Sequence, residues 1–85
     1  MSTTEFFEDP IRVTGSMDEQ GQVTLQRVTW QGQQHTIVGI GRQWDDETGR
    51  CLMAETADGT HLEIQLRRED LIWYVRRVWR QQMAA

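Results

Sequence analysis

The sequence has no lysine, one cysteine, one proline and two histidines in 85 residues. Cys51 alone cannot form an internal disulfide, and with only His35 and His61 beside it a four-ligand structural zinc core is not expected. No apolar run approaches the roughly 20 residues that span a bilayer as a helix, so no membrane association is expected. The opening MSTTEFFEDP has neither a basic n-region nor an apolar h-region. No secretory signal is therefore expected, and the default compartment is the reducing cytoplasm. The chain is long enough for one domain with a small core, which leaves little room for a catalytic cleft.

The missing lysine makes arginine the whole of the basic complement, nine residues against 13 acids and a formal charge of −4. That balance argues against coating of nucleic acid or of an anionic membrane by the chain as a whole. The charge is uneven: residues 1–19 carry −4, residues 20–66 carry −3, and residues 67–85 carry +3. Any arginine-rich contact face is thereby confined to the C-terminal part.

The pattern of apolar residues reads as short strands. Residues 1–9 form a flexible acidic leader, in which Phe6 and Phe7 serve as a docking peptide or as a flap over a barrel end. Pro10 admits an edge strand over residues 11–14, and residues 15–21 (GSMDEQG) make a polar loop. Residues 22–30 are rich in Val, Thr and Leu, which suit a pleated surface. Gln31-Gly32 is a two-residue hairpin turn into residues 33–44, placing Val28, Trp30, His35 and Ile37 on one face. A bulge near Gln26-Arg27 would bring Leu25 inward, and Gly39 and Gly41 predict a sharp bend. After the turn at residues 45–49 (DDETG), Asp58-Gly59 joins strands 50–57 and 60–67, with Ile64 opposite Met53 and Leu66 opposite Cys51. Residues 71–80 (LIWYVRRVWR) are read as a strand for their β-branched and aromatic content. The alternative is an α+β chain with a C-terminal helix over 70–83. The expected fold is all-β: a small antiparallel meander of five or six strands in a partly open barrel, occupying residues 10–80, with a frayed tail at 81–85.

Chemistry-bearing residues are sparse. Asp45, Asp46 and Glu47 lack the alternate spacing of a calcium loop and read as a solvated acidic turn. Gly39-Ile-Gly41 lacks both a third glycine and a βαβ context. Cys51 falls on an apolar face where cysteine is usually inert, and His61 points outward. No catalytic, metal or cofactor constellation results. The one group with weight is Trp73, Tyr74 and Trp79 interleaved with Arg67, Arg68, Arg76, Arg77 and Arg80. Trp, Tyr and Arg are the residues of protein interfaces, and aromatic–guanidinium sets also hold single-stranded nucleic acid. The expectation is a non-enzymatic cytoplasmic module that binds a protein partner, or a second copy of itself, through this Trp/Arg face and its strand edge. Weak single-stranded nucleic-acid binding is the second reading.

Phe7-Glu-Asp-Pro-Ile-Arg-Val13, Trp30-x-Gly32 with His35-x-Ile37 and Trp44, Ala57-Asp-Gly59, Leu62-x-Ile64-x-Leu66 and Trp73-x-Val75-Arg-x-Val-Trp79 together resemble a small bacterial domain family of unknown function. Related domains look like the C-terminal extensions of catalytically inactive Y-family polymerase homologues used in mutagenic DNA repair. The chain departs from that pattern at Gln31 and Gln33, where the family usually has Arg, and at His35, where it usually has Tyr. The resemblance implies a strand at residues 71–80 and supplies no catalytic residue.

Overall fold

A computed structural model describes residues 3–80. Six strands follow in chain order: β1 (Thr3–Met17), β2 (Val23–Trp30), β3 (Gln33–Asp45), β4 (Gly49–Thr56), β5 (Thr60–Arg67) and β6 (Trp73–Arg80). Each pairs antiparallel with the next, and β6 returns to β1, closing the barrel. The all-β meander is as the sequence reads, but the barrel is closed rather than partly open. The cause is the length of β1. Its first half, Thr3 to Ile11, pairs with β6, and its second half, Arg12 to Met17, pairs with β2. Pro10 lies in the half with a neighbour on one side only, where a missing N–H is tolerated.

The flexible leader is therefore corrected over its described residues: Thr3 to Asp9 are strand. A sheet edge on β6 would leave a row of N–H and C=O groups unpaired, and pairing with β1 satisfies them. Phe7 adds apolar packing, edge-on to Trp30 with centroids 4.9 Å apart. The Trp30 indole N–H donates to Asp9 Oδ2 at 3.1 Å, fixing this segment across the barrel end. The tail expected at 81–85 lies outside the described residues.

The interior holds Val23, Leu25, Val28, Ile37, Leu52, Ala54, Leu62, Ile64 and Val75, with Ile11, Val13, Trp30, Ile40, Trp73 and Val78 packed around it. Bulges decide which side chains reach it. Gln26 is the extra residue between Arg27 and Leu25, and it turns Leu25 inward as expected. Register shifts beside Gly39 and Gly41 bend β3. Gln31 and Gly32 both have positive φ, 52° and 77°, as a type I′ turn requires.

One register differs from the sequence reading. In the β4–β5 hairpin, Leu52 faces Ile64 and Arg50 faces Leu66, one residue away from the expected pairing. The loop has three residues, Ala57 to Gly59, rather than two. The Gly59 N–H donates to the Thr56 carbonyl at 3.0 Å, and Gly59 takes φ 88°. Buried Thr56 fixes the loop, its hydroxyl bonded to Asp58 Oδ1 and accepting the Thr60 N–H at 3.2 Å. The slip sends Leu52 and Ala54 inward and moves Cys51 onto the outer face, opposite Gln65. In β6, Arg76 is a bulge residue between Val75, opposite Ile64, and Arg77, opposite Glu63. Val75 and Val78 then both face the core, and Arg77 and Trp79 share the exterior.

Candidate interaction surface

The outer face of β4–β6 is organised by Asp46, in the loop after β3. Its Oδ1 accepts the backbone N–H of Thr48 (2.8 Å) and of Gly49 (2.9 Å), the Thr48 hydroxyl (2.9 Å) and Gln65 Nε2 (2.9 Å). Its Oδ2 accepts from Arg76 at 3.2 Å and from the Cys51 thiol at 3.4 Å. Gln65 is 1% exposed, and its amide also donates to Thr48 Oγ1 at 2.6 Å. Gly49 permits this folded-back loop, because a Cβ there would lie 2.0 Å from the Leu66 carbonyl oxygen. The solvated acidic turn is thus corrected. Asp46 is a hub, with its carboxyl held well below the usual range chiefly by the Thr48 N–H, against the opposing effect of desolvation. Burial, followed by the bond to Asp46, pushes the Cys51 thiol up to about 11. Cys51 is accordingly a protonated thiol on a polar cluster, and not part of the apolar face assigned to it from sequence.

The eight residues expected to form one contact face separate into three groups. Trp73 packs against the core. Arg67, Arg68, Tyr74 and Arg76 gather at the end of the barrel that carries the β3–β4 and β5–β6 loops. There the Arg67 guanidinium lies 3.8 Å from the Tyr74 ring centroid and 3.7 Å from Glu8, and Arg68 donates to the Asp46 carbonyl at 2.8 Å. Arg67, Arg68 and Arg76 line a depression of about 530 Å³ with Gln65, Thr48 and three glutamates. Arg77, Trp79 and Arg80 lie toward the opposite end. Arg77 pairs with Glu63 at 3.0 Å and stands 4.6 Å from the Trp79 ring centroid. Trp79 stacks on His61 at 5.4 Å, and Arg80 pairs with Asp58 at 3.1 Å. Each of the five late arginines already contacts a carboxylate or carbonyl. The strand edge expected to extend a partner's sheet is also absent, because β6 is bonded on both sides.

Residues 68–72 add a feature that the sequence reading passed over. Leu71 is 72% exposed at φ 58°, and Ile72 is 42% exposed. Four hydrogen bonds hold this conformation. Leu71 N–H donates to the Arg67 carbonyl at 2.8 Å, and Arg67 N–H to the Ile72 carbonyl at 3.1 Å. Asp70 accepts the Ile72 N–H at 3.0 Å and the Tyr74 hydroxyl at 2.9 Å. These bonds hold the Asp70 carboxyl below its ordinary range, led by the Ile72 N–H, and raise the Tyr74 phenol through its bond to Asp70. The sequence signal was Asp70 itself, a turn former placed before two aliphatics that the strand reading absorbed.

Among the described residues, no group of three or more His, Cys, Asp or Glu is placed to hold a metal ion. Also among them, no helix is long and apolar enough to cross a membrane. Comparison with protein-family models, with curated proteins and with solved structures finds no match to this chain.

Proposed function

We propose that this barrel is a protein-binding module of the cytoplasm and that its contact surface is the β5–β6 end, with Leu71 and Ile72 as apolar anchors and Arg67, Arg68, Tyr74 and Arg76 at the same end of the barrel. The observation that carries this reading is Leu71. A branched side chain held in the left-handed region costs about 1–2 kcal/mol, and strain of this kind persists where the surroundings enforce it, commonly at binding sites. Here four hydrogen bonds enforce it, and the displayed side chain is apolar. An exposed aliphatic flanked by Arg and Tyr has the composition of an interface centre. Nucleic acid is disfavoured at this end, because engaging phosphate would require the arginines to leave carboxylates and carbonyls they already hold.

The partner would offer an apolar recess for Leu71 and Ile72. A photo-crosslinking amino acid at position 72 of the full chain, expressed in cells, tests this directly. The expected result is one discrete adduct, lost on Leu71→Asp and not formed from a crosslinker at position 24 on another face. An adduct of twice the chain's own mass would identify a second copy as the partner. Equal adducts from both positions, or none from position 72, would overturn the reading.

A further inference from the structure

The nine arginines divide in a way that their positions in sequence conceal. Among the described residues, Arg50, Arg67, Arg76, Arg77 and Arg80 sit in ion pairs with carboxylates, and Arg68 bonds a backbone carbonyl. Arg42 stands over the Trp44 ring. Arg12 and Arg27 are exposed and have no ion-pair or hydrogen-bond partner among the described residues.

These two lie side by side. Arg12 is opposite Thr29, and Thr29 is opposite Gln34; Thr14 is opposite Arg27, and Arg27 is opposite Thr36. Two adjacent rows of side chains thus cross β1, β2 and β3 on the outside of the barrel, while Val13 and Val28 between them face in. Diagonal neighbours on such a face have their Cα atoms about 7–8 Å apart. Arg12, Thr14, Arg27, Thr29, Gln31 and Gln34 line an open groove of about 580 Å³. No acid lines it, and none occurs anywhere in residues 10–17 or 20–44.

We infer that this groove binds the phosphodiester backbone of nucleic acid, at a site separate from the proposed protein contact. Two unpartnered guanidiniums supply the charge, and the threonine hydroxyls and glutamine amides are the neutral groups that commonly complete phosphate and sugar contacts. An acidic protein segment is the less suitable occupant, because the groove offers no aromatic side chain and no deep apolar pocket for an anchor. The same lack of aromatics removes base stacking, so recognition is indifferent to sequence and salt-dependent. The overall charge of −4 keeps the affinity weak.

The test is fluorescence anisotropy of the full chain with a labelled DNA of about 20 nucleotides, single-stranded and duplex, at about 20 mM and about 150 mM salt. Binding at the lower salt is expected, with a log–log slope of about −1.4 to −2.7 for two to three phosphates contacted. Arg12→Gln with Arg27→Gln should flatten the slope by about 0.7–0.9 per arginine removed and weaken binding. Thr29→Glu, which places a carboxylate in the middle of the face, should abolish it with the far-UV spectrum unchanged. Arg67→Gln with Arg68→Gln should leave binding intact, which also keeps this result separate from the fate of the Leu71 surface. No binding at the lower salt, loss through Arg67 and Arg68 instead, or equal binding of a poly-glutamate peptide would each overturn the inference.

Discussion

Asp46→Ala is the sharpest perturbation of the site's scaffold, because one carboxylate receives six donors. Those donors are unequal. Thr48 is exposed, so water replaces most of what its N–H and hydroxyl lose. The Arg76 pair has partly exposed side chains on both sides and contributes under about 1 kcal/mol. Gly49 N and Gln65 Nε2 belong to buried residues, and a hydrogen bond to a charged group contributes about 1.5–3 kcal/mol. Two such bonds at the low end give a loss of about 3 kcal/mol. In a domain of this size that lowers Tm by about 12–24 °C. Asp46→Asn keeps one acceptor oxygen for the loop amides and should lose less than half as much. The pH dependence follows from the depressed carboxyl. A group with a lowered folded-state pKa contributes stability that is fully present above the unfolded value, here 3.8, and lost as pH falls through the folded value. The gap between wild type and Asp46→Ala in thermal denaturation should therefore be flat above about pH 5 and narrow only below the unfolded pKa. A gap under about 1 kcal/mol, or one that changes near neutral pH, would refute the hub.

Leu71→Gly should stabilise the fold by roughly 0.5–1 kcal/mol, since relief of the left-handed strain exceeds the entropy that glycine adds to the unfolded chain. The same change should remove the position-72 crosslink. Urea denaturation measures the first effect, and a loss of stability would show that Leu71 is held by packing rather than displayed. Native Cys51 should alkylate with iodoacetamide about 100-fold more slowly than an ordinary thiol, because a shift from 9.0 to about 11 reduces the thiolate fraction by that factor. Its raised pKa makes its contribution to stability fully present below 9.0 and lost as pH rises through about 11. Mass spectrometry of native and urea-unfolded samples measures the ratio, and equal rates would contradict the buried, Asp46-bonded thiol.

Strand existence was legible because β-branched content and turn residues are local signals. The Gln31-Gly32 turn, the bulge at Gln26 and the bends at Gly39 and Gly41 all appear where expected. What failed was register, which depends on a single residue. Asp58-Gly59 signals a hairpin, but Thr56 decides whether two residues or three form its loop, and that choice moves Cys51 from one face to the other. The Arg76 bulge had the same effect on Arg77 and Trp79, so an apparently continuous Trp/Arg run became separate clusters. Thr3 to Asp9 read as a flexible leader because three of those seven residues are acids. Their partner, the open edge of β6, is some seventy residues away in sequence and invisible to any local window.

A meander converts blocks of sequence into sectors of surface, and this explains why the formal charge misled. Strands that follow one another in the chain are neighbours in the barrel, so a stretch free of acids becomes a surface free of acids. Residues 10–17 and 20–44 are two such stretches, interrupted by Asp18 and Glu19. Those two acids occupy the loop between β1 and β2, not the sheet. Asp18 Oδ1 is folded back on the backbone N–H groups of Gln20 and Gln22, at 2.9 Å from each. The strands on either side therefore meet as one face carrying Arg12 and Arg27. Counting charge over residues 1–19 and 20–66 assigned each arginine to an acidic block. Counting by strand puts the two together, whereas four of the five late arginines, which looked like the basic face, are already paired with carboxylates, and the fifth, Arg68, bonds a backbone carbonyl.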